Sequence, residues 1–265
     1  MKSSQIIQGL IEQFCSVDGR SVRIKIIDKN ETWEFGFRDD IKRPAASLLK
    51  ILVAAAVEEK IRKNSIRPTK KVLVQTLIDS GSEPSILRSL DFNHTLTVAE
   101  LIQISLSTSD PFAGRYLLGL TNLTHLKETL NLANCLNTEV NYPSEFDSKN
   151  IIGRTTAKDA LNLIEFGSNS QNYPITAKGL SHSVLNSRIP LGIVNMGTQI
   201  SHKTGTLLSV AHDVAFIKCR EAAISVSFLT ENQDDTLQTG YEMGICMRRI
   251  LETLDLSVEF SRSYD

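Results

Sequence analysis

The 265-residue chain predicts an α+β fold of two lobes, one an antiparallel sheet flanked by helices and the other all helical. Three observations carry that prediction. Alternating, β-branched segments occur near the start and again after residue 198, with a long helix-patterned stretch between them. Strands and helices are therefore segregated along the chain and do not alternate as βαβ units. The last long segment, "TLQTGYEMGICMRRILETL", returns to an amphipathic helical pattern. The simplest assembly pairs the first two strands with the last three in a five-stranded antiparallel sheet. Residues 1–45 and 190–265 then form the sheet lobe, residues 46–189 form the helical lobe, and a site lies between them.

Each element has a local reason. In "MKSSQIIQGLIEQFCSVDG" the apolar residues are interrupted by Gln5, Gln8, Glu12 and Gln13, which suits a short amphipathic helix. The same interruptions leave no secretory-signal core, and no run along the chain reaches the length of a membrane span. "SVRIKIIDKNETWEFGFRDD" alternates about Asp28-Lys29-Asn30, the pattern of two antiparallel strands. Pro44 leads into a helix beginning at Ser47. "VLVQTLIDS" and "EPSILRSL" read as short helices, ended by Gly81 and by Asp91-Phe92-Asn93. Thr97 with Glu100 three residues on is a capping box for "TVAELIQISLSTSD". Pro111 sits in the first turn of "DPFAGRYLLGL", where its missing N–H is tolerated. "THLKETLNLA", "TTAKDALNLIEFG" and "PITAKGLSHSVLNS" continue the helices, and "TQISHKTGT", "HDVAFIKC" and "AAISVSFLT" form a three-stranded meander.

Composition narrows the function classes. With 29 basic against 30 acidic residues the net charge is −1, so the chain lacks the basic excess of a nucleic-acid binder. Cys15, Cys135, Cys219 and Cys246 make no Cys-x-x-Cys pair and have no histidine at zinc spacing, which points to buried thiols and to neither a metal nor another cofactor. His94, His125 and His182 read as surface residues.

The segment "KRPAASLLKILVAAAVEEK" places Ser47 and Lys50 three residues apart, on one face of a helix. Lys50 is surrounded in sequence by leucine, isoleucine, valine and alanine, where an ammonium is costly unless its charge, or the loss of it, is used. Two further short motifs fall at junctions: Ser109-Asp110 at a break between helices, and Lys203-Thr204-Gly205 on the first strand of the meander. A serine hydroxyl needs a base to become a nucleophile, and a lysine with a lowered pKa serves. Burial, the helix N-terminus and a second cation, Lys203, all push Lys50 that way. Ser109 would relay a proton to the leaving group. Gly205 lets a substrate approach the strand edge, and the backbone N–H groups of Ser47 and Thr206 would form an oxyanion hole. Each motif alone is weak; the three in this order point to acyl transfer.

The three motifs together resemble the penicillin-recognising serine enzymes, most closely the class A β-lactamases. The resemblance runs through "TVAELIQISLSTSDPFAGRYLL", "GRTTAKDALNLI" and "SRIPLGI…ISHKTGTLLSVAHDVAFI". It implies a β-lactamase or transpeptidase-like fold and an acyl-enzyme on Ser47, with Lys50 assisting and water releasing the product. It implies a substrate-binding set of Lys203, Thr204, Gly205, Thr206 and Asp110. It also places His212 roughly where the family often has an arginine for the substrate carboxylate. His202 alternates to the other side of its strand and is left out.

Two departures stand out. The third residue of the Ser-Asp-Asn motif is Pro111, which has no side-chain hydrogen bond to offer an acylamino substrate. The family's Glu-Pro-x-x-Asn segment, whose glutamate activates the deacylating water, is replaced by "NYPSEFDSKNIIGRTT"; Glu145 is the nearest candidate and Glu139 a poorer one. The expectation is a serine β-lactamase-like hydrolase of small-molecule substrates, a monomer that binds no nucleic acid. A slow penicillin-binding peptidase or esterase without an efficient deacylation base is one alternative, and a catalytically idle binding domain is another. The family is usually periplasmic or secreted, but no signal peptide is visible, so the compartment stays open.

Overall fold

The computed structural model describes residues 2–28, 31–80, 82–141, 151–194, 196–219 and 222–256. The chain begins with α1 (Lys2–Phe14) and the hairpin β1 (Arg20–Asp28) and β2 (Glu31–Phe37). A short strand β3 (Arg43–Pro44) and one 3-10 turn, Ala46–Leu48, lead into α2 (Leu49–Arg62). The middle of the chain holds β4 (Lys71–Leu73), β5 (Thr95–Thr97), α3 (Val98–Ser107), α4 (Pro111–Gly119), α5 (Leu123–Leu132), β6 (Glu139–Asn141) and β7 (Ile152–Thr155). Then come α6 (Ala157–Gly167), α7 (Pro174–Ser181) and α8 (Ile189–Gly192). The meander β8 (Gln199–Leu207), β9 (Val210–Cys219) and β10 (Ala222–Thr230) is followed by α9 (Thr236–Thr253).

The main sheet runs β2-β1-β10-β9-β8, with every neighbour antiparallel. This is the five-stranded sheet expected from the sequence, with the two early strands joined to the late meander through β1 and β10. Ile24 lies opposite Phe35 on one side and Val226 on the other, so the alternating apolar residues of three strands share a face. That face packs on Ile7 and Ile11 of α1 and on Met243, Met247 and Ile250 of α9. Phe14 meets Phe228 edge to face, with ring centroids 5.0 Å apart. The opposite face is covered by α6, whose Glu165 accepts hydrogen bonds from Lys25 and Ser225.

The helical region is built around α2. Every residue from Ile51 to Val57 is buried, so the helix is apolar on all sides and other helices surround it. Leu101, Ile102 and Leu106 of α3, Phe112 and Leu117 of α4 and Ile164 of α6 pack on it, and Val214 and Leu229 of the sheet join the same core. Glu58, buried in α2, accepts the backbone N–H groups of Ile175 and Thr176 at 2.9 and 2.8 Å, at the start of α7. Because Pro174 occupies the first turn, the donors of the next two residues face that carboxylate, a favourable arrangement at a helix N-terminus.

Three sequence expectations need correction. "VLVQTLIDS" is not a helix: Val72 and Leu73 pair in β4 with β5, and Val74–Thr76 form a 3-10 turn. Val72 and Val74 alternate into the core, so strand pairing wins over a short apolar run. "EPSILRSL" contains only a 3-10 turn, Ile86–Ser89, started by Ser85, whose Oγ accepts from the N–H of Leu87. The helix expected over "PITAKGLSHSVLNS" stops at Ser181, where the Ser181 hydroxyl and His182 Nδ1 both engage the Lys178 carbonyl. All four cysteines are buried, and none forms a disulfide. Among the described residues no helix is long and apolar enough to cross a membrane.

The capping box at Thr97 is present in full: its Oγ1 accepts from the Glu100 N–H at 3.2 Å, and Glu100 accepts from the Thr97 N–H at 2.7 Å. Thr97→Ala is expected to lower unfolding free energy by about 1 kcal/mol. Urea denaturation checks this, and an unchanged midpoint would show that β5 and tertiary packing hold α3 without the cap.

Candidate active site

Ser47 lies in the 3-10 turn that opens α2. The turn is set by Ala46, a non-glycine residue at φ 47°, in the left-handed region that an alanine adopts only under constraint. Neighbours on both sides supply the constraint. The Ala45 N–H donates to the Gly153 carbonyl of β7 at 2.9 Å. On the other side β8 passes so close that a Cβ on Gly205 would sit 3.3 Å from the Ala46 methyl and 3.1 Å from the His212 ring. A side chain there would press on the turn and on the His212 ring. Ser109, at the break between α3 and α4, is also left-handed, with φ 58°.

These turns bring three side chains to one point. Lys50 Nζ lies 3.4 Å from Ser47 Oγ, 2.5 Å from the Ser109 carbonyl oxygen and 3.2 Å from Ser109 Oγ. From across the cleft Lys203 Nζ reaches Ser109 Oγ at 2.9 Å and the Thr204 carbonyl at 2.8 Å. Ser109 Oγ is therefore shared by two amines. The stem of Lys50 runs over Gly114, where a Cβ would come 3.1 Å from Lys50 Cε. Burial pushes the Lys50 pKa down to about 8; Arg115 adds to the effect, while Asp110 and Glu83 oppose it. Roughly a tenth of Lys50 is then a neutral amine at pH 7. Lys203 is fully buried and is pushed well below the usual lysine value, first by burial and then by the charge of Lys50.

The cleft beside this cluster holds a cavity of about 410 Å³. Ser47, Lys50, Pro111, Gly153, Thr206 and Leu207 line it, and it extends past Val53, Leu118, Ile151 and Ile152. Glu83 and Arg115, which pair with each other, also line it. Since β8 is an edge strand, its outer side is free of sheet pairing, and its end borders the cavity at Thr206 and Leu207.

Several expected residues do other work. Asp110 is buried, and its carboxylate is consumed by the fold: Oδ1 accepts the N–H groups of Phe112 and Ala113 at 3.0 Å each, and Oδ2 accepts Ser85 Oγ at 2.5 Å and the Ile86 N–H at 3.1 Å. It caps α4 and ties down the loop before β5, so both of its carboxylate oxygens are engaged within the fold. His212 is likewise engaged within the fold. The Thr230 N–H donates to its Nδ1 at 2.9 Å, so Nε2 carries the proton and donates to the Pro44 carbonyl at 2.6 Å. Burial pushes the ring's pKa down to about 4, leaving it neutral at pH 7 and unable to pair with a carboxylate. Thr204 is buried and contributes its carbonyl to Lys203. Glu145 lies outside the described residues. Glu139 is exposed on β6 and ion-paired with Lys42 at 2.5 Å.

The residue that sequence reasoning missed is Arg188, just before α8. Its guanidinium donates to the Gly205 carbonyl at 3.0 Å, to the His212 carbonyl, and to Thr206 Oγ1 at 2.7 Å. It therefore stands behind the edge strand β8, beside His212. The only local signal was an arginine set against the apolar "IPLGI", with nothing in its spacing to tie it to β8.

The fold is that of class A β-lactamase structures. The chain belongs to the beta-lactamase enzyme family, whose model matches residues 2–247. Among solved structures it is similar to the β-lactamase of Sphaerobacter thermophilus DSM 20745, at 20% identity and TM-score 0.78 over 97% of this chain and 98% of that one. A class A β-lactamase from Bacteroides cellulosilyticus DSM 14838 is similar at 17% identity and TM-score 0.78, over 96% and 98% of the two chains. PBP-A is similar at 16% identity and TM-score 0.77, over 96% of each chain. No curated protein matches the chain.

Because the Lys50 amine is desolvated, its titration by ¹⁵N-edited NMR is expected to centre near 8. A midpoint near the ordinary 10.5 would mean that the ammonium is solvated and unsuited to act as a base.

Proposed function

We propose that the chain is a serine acyl-transfer hydrolase that opens β-lactam amides through an acyl-enzyme on Ser47. The observation that carries this reading is the placement of Lys50 Nζ within reach of both Ser47 Oγ and Ser109 Oγ, with its pKa lowered toward neutrality. Neutral Lys50 takes the Ser47 proton as Oγ attacks the lactam carbonyl. The N–H groups of Ser47 and Thr206 receive the developing oxyanion, a contribution of about 3–4 kcal/mol per donor. Ser109 passes a proton to the departing lactam nitrogen as the C–N bond breaks, and Lys203, across the cleft, holds Ser109 and supplies positive potential. The substrate carboxylate lies at the end of β8, taken by the Thr206 hydroxyl with the charge of Arg188 behind it.

Deacylation is the weaker half of the cycle. The wall formed by Ile151, Ile152 and Gly153 has no acid, and among the described residues that line the cavity Glu83 is the only carboxylate, engaged by Arg115. Glu145 remains the proposed base for water. Pro111 lines the same cavity and cannot hold an acylamino side chain. Together these features favour a second reading on the same site, a slow penicillin-binding peptidase or esterase. A PBP-A variant has been captured as an acyl-enzyme complex with penicillin G, which is a property of that protein.

An intact-mass time course with penicillin G, with lactam opening followed in the same sample, tests both readings. The expected result is a Ser47 adduct that Ser47→Ala abolishes with its fold intact, and that Lys50→Met slows by at least a hundredfold. A long-lived adduct selects the slow acyl-enzyme, and rapid turnover selects the β-lactamase. Labelling that survives in Ser47→Ala would overturn the nucleophile, and the absence of any adduct or turnover would leave an idle binding domain.

A further inference from the structure

Behind the catalytic edge, on the face of β8 opposite Lys203, lies a buried polar group that the proposed mechanism does not use. Asp213 of β9 and His202 of β8 are both buried, and Asp213 Oδ1 accepts from His202 Nδ1–H at 3.1 Å. The second carboxylate oxygen, Oδ2, accepts the backbone N–H of Ile189 at 3.1 Å. The other ring nitrogen, His202 Nε2, lies 3.2 Å from Oδ1 of Asn186. Two of these contacts therefore fall on one short segment, at positions 186 and 189. Ser187 and Arg188 lie between them.

We propose that Asp213, His202 and Asn186 form a clamp that sets the position of Arg188, and through it the affinity of the cleft for substrates bearing a carboxylate. The proposal rests on the reading of Arg188 as the anchor for that group. Fixing the backbone on both sides of an arginine fixes where its long stem begins, and it removes part of the ordering cost when an anion binds. The rest of the path is also prepared. Gly240 of α9 leaves room for the stem, since a Cβ there would come 3.0 Å from Arg188 Cγ. The guanidinium then ends on the carbonyls of Gly205 and His212 and on Thr206 Oγ1. Three of its donors are spent orienting it at the end of β8, where the side chain of Thr206 is exposed to the cleft. His202 and Asn186 touch no substrate in this arrangement. They are positioning residues, and their effect is expected to be confined to the substrates that Arg188 recognises.

The test compares acylation by penicillin G, which carries a carboxylate, with acylation by its neutral methyl ester. Arg188→Ala is expected to lose about tenfold or more in acylation efficiency with the free acid and little with the ester. Asn186→Ala and His202→Ala are expected to lose a smaller factor with the same selectivity, expressed in the concentration dependence and not in the limiting rate. In the Arg188→Ala background neither substitution costs anything further, because both act through that residue. His202→Asn, which keeps an N–H toward Asp213, is expected to fall between wild type and His202→Ala. Asn186 is exposed, so Asn186→Ala carries the test even where His202→Ala fails to fold. If Arg188→Ala weakens acid and ester alike, the anchor reading fails and takes the clamp with it. If Arg188→Ala is selective but Asn186→Ala is silent, or its loss adds to that of Arg188→Ala, the clamp alone is overturned. Absence of any adduct in the wild type overturns both.

Discussion

Two lysine amines, one fully buried and the other half-buried, share one serine hydroxyl, and much of the surrounding structure serves that arrangement. Taking an ammonium out of water costs on the order of several kcal/mol unless it is paired. Neither Lys50 nor Lys203 has a carboxylate within hydrogen-bond reach among the described contacts; they meet Ser47, Ser109 and two backbone carbonyls instead. The carbonyls stabilise a cation less than a carboxylate would, so Lys50 is drawn toward neutrality while still being held in place. A buried ion pair in the same position would fix the side chain but keep its proton.

The fold bears the strain that this geometry requires. Ala46 and Ser109 both adopt left-handed backbone, each next to an end of the cluster. One is held by β7 and β8; the other is followed by Asp110, whose four accepted hydrogen bonds lock the start of α4. Gly114 and Gly205 are the two positions where a side chain would displace the lysine stem or the strand edge. The rigid partners are α2, buried on all sides, and a sheet packed on both faces. A site carried on such elements holds its distances better than one carried on loops.

Much of this was legible in the sequence because it is local or periodic. The capping box at Thr97, the hairpin around residue 29 and the late meander follow from neighbouring residues, and the segregation of strands from helices gives the α+β class. The motifs at Ser47, Ser109 and Lys203 were readable as chemistry because their order along the chain is distinctive. What escaped was decided by contacts distant in sequence. Arg188 reaches β8 because α8 packs against α9 and its start is tied to Asp213 of β9, and no spacing encodes either contact. His212 enters the expected set through the resemblance, which places it near the family's arginine, whereas Pro44 and Thr230 take both of its nitrogens. Asp110 looked like a ligand because it lies inside a motif, whereas its position before Pro111 makes it a cap. The residues of "VLVQTLIDS" were read as a helix because a short apolar run does not distinguish a helix from a strand until its partner, β5, is known.

The central claim is that Ser47 is activated by an amine whose basicity is set by burial, and the most direct test changes that basicity without changing the length of the side chain. Lys50→Cys alkylated to the thioether analogue of lysine restores an aminoalkyl chain with a less basic nitrogen; the four native cysteines are buried and stay unmodified. The pH profile of Ser47 acylation is then compared with that of the wild type, which is expected to rise through about 8. The account predicts that the profile moves to lower pH in the analogue, with its shape retained. A profile that stays where it was would assign the titrating base to another group and contradict the role given to Lys50.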